Sequence, residues 1–178
     1  MQLEKTRDAL NKFAKYVVQQ SKSNLTKSDK NVSKELYNSI GYKLNVSKNS
    51  FGLDLVMQDY GVFQDKGVKG KTSSAKAPNS PFKFGSGTGK KGGLTNGIDK
   101  WVRRRGFQFR DNKGKFLSYQ STAFLITRSI YNKGIKPSMF FTKPFEKAFA
   151  GLNEDLIQAF ALDVTKFMET TIKDNFKK

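Results

Sequence analysis

Neither cysteine nor histidine occurs in the 178 residues. Without them no Ser–His or Cys–His nucleophile system can be assembled, and the usual zinc ligand sets are excluded. No disulfide framework exists either, which suits a reducing compartment. Proline is scarce at four residues, and the 15 Asp and Glu are outnumbered by 33 Lys and Arg. Long apolar runs are missing: nothing approaches the roughly 20 residues of a membrane span. The start, MQLEKTRDAL, carries charges where a secretory signal needs an apolar core. These absences predict a soluble chain made and used without export, with no cofactor, no metal, no membrane contact and no small-molecule substrate.

What is present is charge and phenylalanine. The formal net charge is +18, and 16 of the residues are Phe. An apolar fraction of 37% suffices for a globular core, and the length suits a single domain spanning residues 1–178. The charge favours polyanions through counterion release; it sets partners, not fold.

Periodicity predicts a helix from Leu3 to about Leu25, because Leu10, Phe13, Ala14, Val17 and Val18 recur on one face. Ser33 can cap a short helix through Ile40. Tyr42, Leu44 and Val46, then Phe51, Leu53, Leu55 and Met57, alternate with other residues as half-buried strands of a hairpin do. Tyr60 to Lys66 reads as a helical turn stopped by Gly67. At that glycine the composition changes. Residues 68–93 are rich in Gly, Ser, Lys and Pro and lack periodicity, so they read as a loop outside the core. A helix over Thr95–Arg105 ends in three arginines, where cations suit the dipole. Phe107 and Phe109 then face Phe116 and Leu117 across Asp111–Gly114 as a small basic hairpin. Ala123, Ile126 and Ile130 mark another helix. The last one carries a long stripe of Phe145, Phe149, Leu152, Leu156, Phe160, Val164 and Phe167. A stripe of this length on a small chain suggests that part of it is exposed for self-association.

The stretch that organises the chain is GIKPSMFFTKPFEKAF, Gly134–Phe149. Gly134 can take the left-handed conformation of a helix stop, and Pro137 forbids a return to helix. Met139, Phe140 and Phe141 form an apolar run short enough for a strand, and Pro144 sits where a new helix tolerates a missing N–H.

This segment, with Leu36–Ile40, two strands and Tyr60–Gly67 upstream, resembles the neck and tail-component proteins of long-tailed bacteriophages. Residues 68–120 depart from that pattern as a long basic insertion of loop, helix and hairpin. The resemblance implies a non-enzymatic structural protein of the virion, assembled in the host cytoplasm. Its copies would form a ring, six-fold by the family's usual symmetry, at the head–tail neck or the tail end. Adjacent neck and tail proteins, and genomic DNA in the channel, are the implied partners. A basic nucleic-acid-binding or DNA-packaging accessory protein is the alternative.

The expected fold is α+β: a small antiparallel sheet from residues 41–58 and 138–142, packed by the first, penultimate and last helices, with the basic arm inserted. Tyr60, Phe63, Pro137, Phe140, Phe141 and Pro144 are the candidates for holding the sheet that orders the ring. Between Lys66 and Lys115 there are 14 Lys and Arg against 2 Asp, a net +12. Within that span Lys69, Lys71, Lys90, Lys91, Arg103, Arg104 and Arg105 are the candidate contacts to a polyanion or an acidic neighbour; a merely solvated surface is the plain reading. The glycine-rich FGSGTGKKGG lacks the spacing of a phosphate loop, with Phe84 where its first Gly and Lys91 where its Ser or Thr would stand. Asp99 and Asp111 offer only the loosest carboxylate set for a magnesium nuclease, and salt-bridge roles suit them better.

Overall fold

The computed structural model of the chain describes residues 3–28, 33–47, 50–86 and 93–175. The architecture is α+β. In chain order the elements are α1 (Glu4–Lys27), α2 (Glu35–Ser39), β1 (Gly41–Val46), β2 (Phe51–Val56), α3 (Tyr60–Lys66), β3 (Val68–Lys69), α4 (Gly93–Arg105), α5 (Tyr119–Lys133), β4 (Gly134–Ile135) and α6 (Thr142–Asn175). They group into two compact units: Met1–Asn24, Ser39–Met57 and Phe140–Lys178 form the first, Leu25–Asn38 and Gln58–Met139 the second.

The first unit is built on the apolar stripes of α1 and α6. Phe13, Val17 and Leu152 are buried together, and Leu53, Leu55, Phe145 and Leu156 pack against them. β1 and β2 pair antiparallel with Tyr42 opposite Leu55 and Leu44 opposite Leu53, so alternation puts those four side chains on one face. The Tyr42 hydroxyl meets Asn11 Oδ1 of α1 at 3.3 Å. Phe13 meets Phe145 edge-on at 5.8 Å, and Phe141, Phe145 and Phe149 stack in sequence along the first turns of α6.

The start of α1 has no capping residue of its own, because Leu3 precedes it and offers no side-chain oxygen. Asp163 of α6 does the work instead. Its carboxylate accepts from the Lys5 N–H at 3.0 Å, the Thr6 N–H at 2.9 Å and the Thr6 hydroxyl at 2.9 Å. One turn on, Lys166 Nζ lies 3.1 Å from Glu4. α1 therefore begins level with residues 163–166 of α6. The remaining nine residues of that helix, 167–175, run about 13 Å past it at 1.5 Å per residue.

The second unit is held by a two-stranded ladder, Val68 opposite Ile135 and Lys69 opposite Gly134. Around it the chain is pinned by backbone hydrogen bonds: the Lys69 N–H to Phe82 O, the Phe84 N–H to Lys69 O and the Lys71 N–H to Tyr131 O, each within 2.9 Å. The Ser80 hydroxyl donates to Gly67 O at 2.7 Å. Residues 68–86 are thus ordered by hydrogen bonds, with Val68, Ala77 and Ser80 buried, and are not the structureless loop expected from their composition. Backbone partners, invisible to a search for periodicity, supply the order. The rest of that segment, 87–92, lies outside the described residues.

α4 and α5 form a helical hairpin joined by residues 106–118. Within the joint Arg110 bridges to Phe116, the Leu117 N–H donates to Phe109 O at 2.8 Å, and Gly114 at φ +80° makes the turn. This is the basic hairpin that the aromatic spacing predicts. Ser118 caps α5 through the Ser121 N–H at 3.0 Å.

Two expectations are corrected. Residues 138–142 do not join a sheet. Met139 turns the chain at φ +53°, the Ser138 and Met139 N–H groups donate to Gln64 O and Asp65 O, and Phe140 O accepts from Asn24 Nδ2. With those groups engaged, no ladder can form. The penultimate helix α5, expected over the 41–58 hairpin, belongs to the second unit, with α4 and β4 as its partners.

Candidate polyanion and assembly surfaces

Charge is divided unequally between the units. The second holds 20 Lys and Arg against 6 Asp and Glu, hence +14 of the +18. Of these, Lys69 and Lys71 stand on the hydrogen-bonded scaffold just described.

The predicted contact cations fall into two groups at opposite ends of α5. At its C-terminal end Lys69 is half-buried in β3, and Lys71 places Nζ 5.8 Å from the Tyr131 ring centroid. At its N-terminal end Arg103 lies 5.7 Å from the Tyr119 ring. Tyr119 and Tyr131 are twelve residues apart, about 18 Å along the helix, so one small anion cannot touch both groups. A long polyanion can. Lys90 and Lys91 lie outside the described residues.

The arginine run is partly neutralised locally. Arg103 Nε reaches Asp99 at 2.9 Å across one helical turn, and Arg104 reaches Glu35 at 3.3 Å. Both pairs are exposed and screened by solvent, so either guanidinium can exchange its partner for an external anion. Asp111, the other acid considered for a metal, accepts the Lys113 and Lys115 N–H groups at 2.9 Å and shapes the hairpin turn. Among the described residues no three acidic side chains converge to hold a metal ion, and no helix is long and apolar enough to cross a membrane.

Arg110 is a cation that reading by basic runs passes over. Its guanidinium sits 3.9 Å from the Phe116 ring centroid and Nη1 donates to Gly114 O at 2.9 Å, which holds it fixed over an exposed aromatic. The available signal was a single arginine at the foot of a predicted hairpin, opposite a phenylalanine. Nearby, Trp101, Phe107 and Phe109 form a chain of ring contacts at 6.4 and 5.2 Å, all three partly exposed.

The candidate scaffold residues divide as well. In the second unit Tyr60 opens α3, where burial first and the nearby Glu35 charge second push its hydroxyl above the ordinary tyrosine range; it stays neutral at physiological pH. Phe63 meets Phe82 edge-on at 4.7 Å. Pro137 lies against Gly67, where a Cβ would come within 2.7 Å of the proline nitrogen. In the first unit Phe140 is fully buried, Phe141 stacks on Phe145 and Pro144 is buried in the first turn of α6.

α6 has a second character. Along its outer side Ile157, Phe160, Phe167, Met168 and Ile172 remain about half exposed or more, Ile157 at 70%. The long stripe is therefore covered only on the side of Leu152, Ala159 and Asp163.

Comparison of the chain with protein families, with curated proteins and with solved structures gives no match.

Proposed function

We propose that this chain is a structural subunit of a tailed-phage virion, one copy of an oligomeric ring at the head–tail neck or the tail end, around the DNA channel. One observation carries the reading. The two sequence pieces that resemble neck and tail-component proteins, Tyr60–Gly67 and the segment from Gly134, lie about 70 residues apart and fold onto each other. Val68 pairs with Ile135, and the Ser138 and Met139 N–H groups bond the last carbonyls of α3. The basic excursion between them leaves and returns through that knot, so its cations are held by a fixed base. Six such subunits would gather roughly a hundred positive charges about one channel, an excess that DNA, acidic neighbours or ions must offset.

The test is electron microscopy of the purified chain and of virions containing it. Rotationally symmetric ring particles, and density for this chain at the neck or tail end, are the expected result; asymmetric monomers and virions lacking it there would overturn the reading.

A DNA-binding accessory role is the second reading, favoured by Arg103 and Arg110 standing beside aromatic rings on an exposed surface. It predicts steep salt dependence. Replacing Arg103, Arg104 and Arg105 together by Gln should flatten the slope of log K against log salt by up to about 3, since each phosphate contact contributes about 0.9 for duplex DNA. An unchanged slope in a filter-binding or fluorescence titration would remove those arginines from the interface.

A further inference from the structure

We propose that Trp101, Phe107 and Phe109 form a stacking platform for the bases of single-stranded DNA, with Arg104 and Arg105 beside it as phosphate contacts. The inference rests on the nucleic-acid reading above and is independent of the ring.

The platform is assembled by the way α4 ends. Gly106 stops the helix at φ +62°, its N–H donating to Arg103 O at 3.2 Å and the Phe107 N–H donating to Val102 O at 3.1 Å, the paired hydrogen bonds of a glycine-terminated helix. The chain turns back, and the Phe107 ring comes to lie 6.4 Å from Trp101 and 5.2 Å from Phe109. Phe109 is held in turn: its N–H donates to the buried Thr122 hydroxyl oxygen at 3.2 Å, and its carbonyl accepts from the Leu117 N–H at 2.8 Å. Val102 anchors α4 from a fully buried position, while Trp101, Phe107 and Phe109 stay 38%, 42% and 38% exposed. Three adjoining rings are thus fixed in place with part of each open to solvent.

Cations stand beside the rings. Arg104 and Arg105 follow Trp101 by three and four positions, which puts them on its side of the helix, and both are exposed. Between Asp99 and Phe116 there are seven Lys and Arg, all exposed, against two Asp. Asp99 is engaged by Arg103, and Asp111 by the backbone of the hairpin turn; Glu35 of α2 adds a third acid, against Arg104. The surface stays cationic with all three counted.

Its make-up selects a ligand. Duplex DNA offers phosphates but keeps its base faces inside the stack, so it would leave the three rings in water. An acidic peptide would satisfy the guanidinium groups and likewise bring no flat group to each ring. A single strand alternates a phosphate with a flat base and meets both halves of the surface. Polar side chains nearby are bonded within the hairpin, Gln108 Nε2 to Leu117 O at 2.7 Å and the Ser118 hydroxyl to Ser121 at 2.9 Å. Contact therefore falls to ring faces and guanidinium groups, which read neither base identity nor a sugar hydroxyl.

Trp101 is the only tryptophan of the chain, so its fluorescence reports on the platform directly. Titrating the full chain with oligothymidylate should quench it saturably, whereas a duplex of the same length should bind about tenfold more weakly and leave it unquenched. Phe107→Leu keeps apolar bulk but removes a flat face, and should weaken strand binding roughly five- to a hundredfold. Phe124→Ala, at an exposed ring on α5, is the control and should bind as before. Thermal melts check the fold; should Phe107→Leu unfold, Phe109→Leu replaces it, and the quenching of the unaltered chain needs no variant. If strand and duplex bind equally and Trp101 is unquenched, or if the leucine variant binds as tightly as the unaltered chain, the platform is wrong while phosphate binding by the arginines survives. If neither nucleic acid binds, the platform and the nucleic-acid reading fall together. Equal binding and quenching by polyglutamate would make the partner an acidic protein, and much tighter binding of oligouridylate would make it RNA; either result overturns the proposal.

Discussion

Replacing Gly134 by alanine is expected to destabilise the second unit by about 3–5 kcal/mol, the combined scale of forced backbone strain and overpacking. Gly134 ends α5 at φ +84° and ψ 179°, a region open in practice only to glycine. This is positive φ, as a helix stop requires, but with ψ extended instead of helical, so the chain leaves α5 directly into β4. A Cβ there would meet the Val68 carbonyl and would lie 2.7 Å from the Gly70 nitrogen. Both belong to the opposing strand segment, and neither can yield without opening the ladder. The Lys71–Tyr131 hydrogen bond and the pairing of Val68 with Ile135 would go with it. Urea unfolding together with hydrogen exchange at Lys69 and Lys71 reads the loss. Gly97→Ala is the control: a Cβ at Gly97, inside α4, meets nothing within 4 Å, and this change should be neutral or stabilising by up to about 1 kcal/mol. Equal stability of the two variants would show that the knot beneath the basic excursion is not built as described.

Replacing Asp163 by alanine is expected to cost about 2–3 kcal/mol, because it orphans two buried donors of Thr6 and the part-buried Lys5 N–H at the start of α1 and removes an anion from a helix N-terminus. For a chain of this length the melting temperature should fall by roughly 5–10 °C. The same contact makes stability depend on pH. Burial pushes the Asp163 carboxyl up, but the Thr6 and Lys5 N–H groups, the Thr6 hydroxyl and the Lys166 charge together outweigh it and leave the value lowered. A carboxylate lowered in the folded state contributes stability that is complete above its unfolded value, about 3.9, and is lost as pH falls through the folded one. The wild type should therefore lose stability on acidification below about pH 4 more steeply than Asp163→Ala. Parallel acid limbs for the two proteins would show that Asp163 is not the linked group.

Much of this molecule was legible from its residues in order. The stripe of Phe13, Val17 and Leu152, the alternation of Tyr42 to Leu55, the stops at Gly67 and Gly134 and the turn at Asp111–Gly114 all depend on local periodicity or on one residue's backbone freedom. Neighbours within a few positions carry those signals, and the elements formed where they pointed. The uneven charge was equally plain, since a sum over a segment needs no coordinates. Tertiary structure alone decided the rest. Met139–Phe141 looked like a strand because apolar content is all that a triplet can show, whereas the Ser138 and Met139 N–H groups at its start were already committed to α3, some 75 residues earlier. Residues 68–86 looked unstructured because their order comes from backbone donors and acceptors that every residue type carries alike. The cap of α1 could not be read at all: the oxygen that serves Lys5 and Thr6 stands 157 and more positions away, and a hydrogen bond records proximity in space, which sequence separation does not encode.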